Sequence, residues 1–113
     1  MSQQQRLLAE YVSDILNDNH NIKSSKKLSH QRSQSDEITT EHMIYRYQFE
    51  DGALIRMEVE FDNDADNDAL CADEWIDYQV EQQPYDYEIS PRQKHFVNRC
   101  SQSFWLKMQL ANL

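Results

Sequence analysis

Five aspartates, Asp62, Asp64, Asp66, Asp68 and Asp73, crowd one stretch of the chain and are the residues best suited to hold something. Calcium takes about six to eight oxygen ligands, which alternating carboxylates in a curved loop can supply. Counted as a calcium loop, Asp62, Asp64 and Asp66 fall at the first, third and fifth positions, with Asn67 where glycine is usual and Asp73 where a longer, bidentate glutamate is usual. Asn tolerates a left-handed turn, but the shorter carboxylate reaches less far. The residues before the loop also read as strand rather than helix. An EF-hand is therefore not supported. What remains is an acidic turn with Ca2+ as its candidate ion, against the plainer reading of a solvated loop between strands.

Other chemistries find less. His20, His30, His42 and His95 have no i, i+4 pairing and no cysteine or carboxylate at an established ligand spacing, so a transition-metal site is not expected. Cys71 and Cys100 lie 29 positions apart and form no C-x-x-C pair, and they read as small core residues rather than as a disulfide framework or a thiolate site. Gly52 is the single glycine, which excludes phosphate-cradling loops and nucleophile elbows. Glu58 and Glu60 share one face of a strand and read as a solvated sheet face rather than an acid/base pair. No catalytic constellation is recognisable, and the protein is expected not to be an enzyme.

The elements that position these residues follow from periodicity. Ser2 and Gln5 make a capping box, and Leu7, Leu8, Tyr11, Val12, Ile15 and Leu16 recur at helical spacing, predicting a helix that ends near residue 17. Residues 18–36 hold only Ile22 and Leu28 as large apolar side chains; they read as a mobile polar loop, with a short edge strand near 27–32 as the other possibility. From residue 43 to 61 apolar and polar residues alternate on either side of Asp51-Gly52, which predicts a hairpin. For both apolar sets to share a face the loop must have odd length. The loop Glu50-Asp51-Gly52 sets Tyr47 opposite Ile55 and Tyr45 opposite Met57, whereas Asp51-Gly52-Ala53 would set Arg46 opposite Glu58. Residues 75–82 predict a third strand, and Tyr85, Tyr87 and Ile89 can extend the sheet irregularly after Pro84. Ser90-Pro91 reads as the start of a helix running to about Ala111, with Val97, Cys100, Phe104, Met108 and Ala111 inside and Leu106 and Leu110 on the other side.

Together these give an α+β fold: an antiparallel meander of three to four strands packed by N- and C-terminal helices, in the order α-β-β-β-α. With 113 residues there is room for one domain. No apolar run has the length of a membrane span and the first residues lack a signal-peptide pattern, so a cytoplasmic protein without membrane contact is expected.

Charge narrows the partner. The chain carries 20 acids against 11 bases, a net charge of −9, and residues 50–90 hold fourteen acids against Arg56 alone. That block repels phosphates, so direct nucleic-acid binding is not expected, and Tyr45, Tyr47 and Phe49 read as core rather than as a base-stacking platform. The expected function is non-catalytic: binding another protein, or self-association, through Trp105, Leu106 and Leu110. The alternatives are Ca2+ binding by residues 62–73 and an acidic mimic that competes for a basic nucleic-acid-binding protein.

Overall fold

The computed structural model describes residues 4–63, 71 and 73–111. They form β1 (Gln4–Leu7), α1 (Leu8–Leu16), β2 (Ile22–Ser35), β3 (Ile38–Phe49), β4 (Leu54–Asn63), β5 (Asp73–Gln82), β6 (Tyr87–Ser90), β7 (Gln93–Asn98) and α2 (Arg99–Leu110). The fold is α+β, with five antiparallel strands in the order β2-β3-β4-β5-β7 and one helix toward each end of the chain. β1 and β6 form a separate parallel pair.

The hairpin between β3 and β4 has the three-residue loop and the register in which Tyr47 faces Ile55 and Tyr45 faces Met57. Phe49 N donates to Ala53 O at 2.9 Å, and Gly52 N donates to Phe49 O at 3.0 Å. Gly52 takes φ +94°, the left-handed angle that favours glycine, and a Cβ there would come within 2.6 Å of the exposed Tyr85 ring, which would have to turn aside. Arg46 faces Arg56 rather than Glu58.

Five expectations are corrected, the first three in the sheet and its disulfide. Residues 22–35 are not a mobile loop but the longest strand of the sheet, paired along β3 through a two-residue turn in which Asp36 (φ 48°) and Glu37 (φ 69°) both lie in the left-handed region. Such turns usually carry Asn or Gly. An Asp-Glu turn between polar strands therefore leaves little trace in sequence. The C-terminal helix starts at Arg99 rather than after Pro91, because residues 93–98 pair with β5 and Asn98 caps the helix by accepting from Ser101 N at 2.7 Å. The cysteines are not core thiols: Cys71 and Cys100 form a disulfide with Cα atoms 5.2 Å apart. Asp73 lies opposite Asn98, so two steps outward along each chain brings residues 71 and 100 together.

The N-terminal helix begins later than its capping box suggests, with residues 4–7 extended and Leu7 N donating to Glu10 Oε2 at 3.0 Å. Leu8, Tyr11, Val12 and Ile15 from α1 meet Phe49, Ile55, Val59, Ile76, Tyr78 and Phe96 from the sheet, and Ile89 closes the same core. Tyr11 and Phe49 meet edge to face at 4.9 Å. The Tyr11 hydroxyl donates to Asp51 Oδ2 at 2.6 Å, tying α1 to the β3–β4 turn. Burial, then that bond, pushes the Tyr11 hydroxyl pKa up, so it stays a neutral donor.

Helix α2 is rotated relative to the expected face. Trp105 packs on Phe96 at 5.3 Å between ring centres, Leu106 joins the core margin, and the Tyr78 hydroxyl donates to buried Gln102 Oε1 at 2.6 Å. Phe104 and Met108, expected inside, are 67% and 53% exposed. Arg99 pairs with Glu74, adding a second link beside the disulfide.

Candidate interaction surface on the open face of the sheet

Side chains alternate across a strand, so register assigns every residue to a face. Met43, Tyr45, Tyr47, Ile55, Met57, Val59, Ile76, Tyr78 and Phe96 share the face on which the helices pack. Thr40, His42, Arg46, Arg56, Glu58, Glu60, Asp62, Trp75, Asp77, Glu81, Gln93 and His95 occupy the opposite face. Among the described residues no helix packs there.

The centre of this open face is a row across three strands, Glu58 on β4, Asp77 on β5 and His95 on β7. Two carboxylates directly opposite each other repel unless neighbours compensate. His42 Nε2 lies 2.6 Å from Glu58 Oε2, and Arg56 Nη2 donates to Glu58 Oε1 at 3.2 Å. Asp77 is 7% exposed and accepts from the Gln93 side-chain amide at 3.2 Å. Arg46, facing Arg56, is held by a bidentate pair with Glu81 at 2.7 and 3.0 Å. That pair keeps the Glu81 carboxyl below its ordinary pKa and the Arg46 guanidinium above its own. Glu60, Asp62 and Asp77 have no ion-pair partner among the described residues; Asp62 accepts only from the Thr40 hydroxyl, at 2.8 Å.

Toward the β2–β3 turn the face hollows into a polar concavity of about 480 Å³ lined by Gln31, Arg32, Ser33, Thr40, His42 and Glu60. Beside it, on the helix side, Glu41 is nearly buried, with His30 Nε2 at 3.1 Å and Arg32 Nη2 donating at 3.0 Å. Arg32 first, then His30, lowers the Glu41 pKa.

Of the residues singled out from sequence, Asp62 and Asp73 sit at the ends of the adjacent strands β4 and β5, while Asp64, Asp66 and Asp68 lie outside the described residues. Among the described residues no group of three metal-ligating side chains converges. Trp105 and Leu106 lean on the core and Leu110 is half-buried at the end of α2. Sequence reasoning placed Glu58 and Glu60 correctly on one face but did not assemble the cluster of His42, Arg56, Asp77 and Gln93. The alternation carried the signal for its β3 and β4 members; the β7 member required knowing that residues 93–98 are a strand.

No described helix is long and apolar enough to cross a membrane. No protein-family description, no curated protein and no solved structure matches the chain.

Proposed function

We propose that this is a non-catalytic binding protein whose open sheet face receives a basic macromolecule. The observation that carries the reading is the open face itself: five carboxylates on β4 and β5, of which Glu60, Asp62 and Asp77 lack a basic partner among the described residues. Acids fixed on a sheet are pre-organised, so a partner's lysines and arginines gain Coulomb attraction without first ordering a loop. The concavity beside Glu60 has room for one such side chain. Charged rims steer association and make it salt-dependent. An acidic mimic of nucleic acid is one form this activity takes.

The test uses a fluorescent Lys/Arg-rich peptide and the full-length protein. Glu60→Gln with Asp62→Asn should weaken binding by about tenfold, equivalent to about 1.4 kcal/mol, and flatten its salt dependence. Asp18→Asn with Asp86→Asn removes as much charge away from this face and should leave affinity nearly unchanged. Equal losses in the two double variants would reduce the effect to net charge and refute the assignment to the open face.

The outward Phe104 and Met108 on α2 favour a second contact region. Self-association expected through Trp105, Leu106 and Leu110 would run through these neighbouring side chains, and Phe104→Ser with Met108→Ser should then lower the solution mass.

A further inference from the structure

Strand β2 has a partner on one side only. It ends the five-stranded sheet, and among the described residues nothing pairs with its outer edge, leaving a row of backbone N–H and C=O groups open to solvent. Such edges invite another strand, and proteins usually block them with lysines, bulges or irregular register. Here the blocking devices are confined to one half. Both register shifts fall between Ile22 and Ser29, and Lys23, Lys26 and Lys27 lie in the same stretch. Residues 29–35 pair with β3 without interruption, from Ser29 opposite Ile44 to Ser35 opposite Ile38, and contain no lysine.

The side chains specify what could lie alongside. Lys27, His30 and Arg32 project on the helix side, opposite Tyr45, Met43 and Glu41, while Ser29, Gln31 and Ser33 project on the open side. The whole strand carries Lys23, Lys26, Lys27 and Arg32 and no acid. Arg32 spends one N–H on Glu41, and its side chain is 65% exposed, so other donors of its guanidinium face water. A second copy does not complement this edge. β2 against β2 opposes lysine-bearing strands, β7 brings Lys94 and His95 without an acid, and the acidic strands β4 and β5 are interior to the sheet.

We infer that the outer edge of β2, along residues 29–35, docks an extended acidic segment of a partner protein by strand addition, its acids facing Arg32 within the run and Lys27 just beyond its end. Backbone pairing supplies the register and the alternate carboxylates supply the selectivity. This edge adjoins the acidic open face, sharing Gln31, Arg32 and Ser33 with its concavity, and takes a partner of the opposite sign.

The test is fluorescence anisotropy of the full-length protein with a labelled peptide alternating Asp and Ser over about nine residues, long enough to span the docking run and reach Lys27. An Asp-block, Ser-block peptide of the same composition should bind about tenfold more weakly. Two alternately N-methylated versions separate strand addition from simple attraction, because successive amides of a strand point to opposite edges. Methylation of one set of amides should abolish binding and methylation of the other should leave it intact. Lys27→Ser with Arg32→Ser should weaken the unmodified peptide; the methylation pair uses the unaltered protein, so a folding defect in that variant does not affect the result. Equal affinity for both methylated peptides overturns the proposal, as does a single-stranded RNA that outcompetes the alternating peptide. A concentration-dependent dimer that the peptide dissociates would assign the edge to a second copy and overturn it as well.

Discussion

The two faces of the five-stranded sheet are held by different physics. Along β4, Ile55, Met57, Val59 and Phe61 look toward the helices, whereas Arg56, Glu58, Glu60 and Asp62 look away. Stabilisation on the first face comes from area removed from water and dense packing. On the second, carboxylates are partly neutralised by Arg56 and Arg46 and hydrogen-bonded by His42, and solvent-accessible ion pairs contribute little to folding. The covered face therefore carries most of what makes the protein fold, and the open face is where binding is proposed.

The largest break in that comparison should come from cutting the covered face. Phe96→Ala removes a side chain that touches both Tyr78 and Trp105 and should cost about 3 to 5 kcal/mol in denaturant unfolding. Glu60→Gln on the open face should stay within about 0.5 kcal/mol. Comparable losses would show that the open face is structural.

Next comes the disulfide beside α2. It closes a loop of 29 positions, for which chain entropy gives about 3 to 4 kcal/mol. Reduction, or Cys71→Ser with Cys100→Ser, should lower the melting midpoint by more than about 10 °C, while peptide binding at the open face persists below the new midpoint.

Titration should separate the paired carboxylates, Glu81 on the open face and Glu41 on the helix side, from the buried tyrosines by pH limb. Glu81 has its folded pKa held below the ordinary 4.5 by Arg46, so the unfolded chain binds more protons there. Its contribution is complete above that value and is lost as pH falls through the lowered one. Tyr11 and Tyr78 are raised above 10.0 chiefly by burial, so their contribution is complete below 10.0 and is lost as pH rises toward the raised values. Glu81→Gln should flatten the acid limb of stability against pH and leave the alkaline limb alone. Tyr78→Phe should do the reverse.

The smallest effect concerns the Asp-rich stretch. Melting midpoints in EDTA, millimolar magnesium and millimolar calcium should coincide within about 1 °C. Saturating calcium would instead add about 2.7 kcal/mol at a hundred times its dissociation constant, and a rise specific to calcium would make residues 62–73 an ion site.

Much of the fold was legible where one face is apolar. The parity of the β3–β4 loop followed from Tyr45, Tyr47, Ile55 and Met57 having to share a face, and Gly52 fitted the residue of that loop that needed a left-handed angle. β2 was nearly silent because Lys, Ser and Gln alternate with one another on an edge exposed on both faces, so no hydrophobic period marks it. The C-terminal segment misled because Ser90-Pro91 resembles a helix start, and residues 93–98 became a strand only because β5 offered them an edge.

By itself, then, the sequence determined an acidic α+β chain, a hairpin with an odd-length loop in one of two registers and the polar side of two strands, because those follow from charge count, side-chain period and glycine geometry. Only the tertiary structure decided that Cys71 meets Cys100, that Asp77 sits between Glu58 and His95, and that Trp105 rather than Phe104 turns inward. Each of these depends on which segment pairs with β5, a contact between residues far apart in the chain that no local pattern encodes.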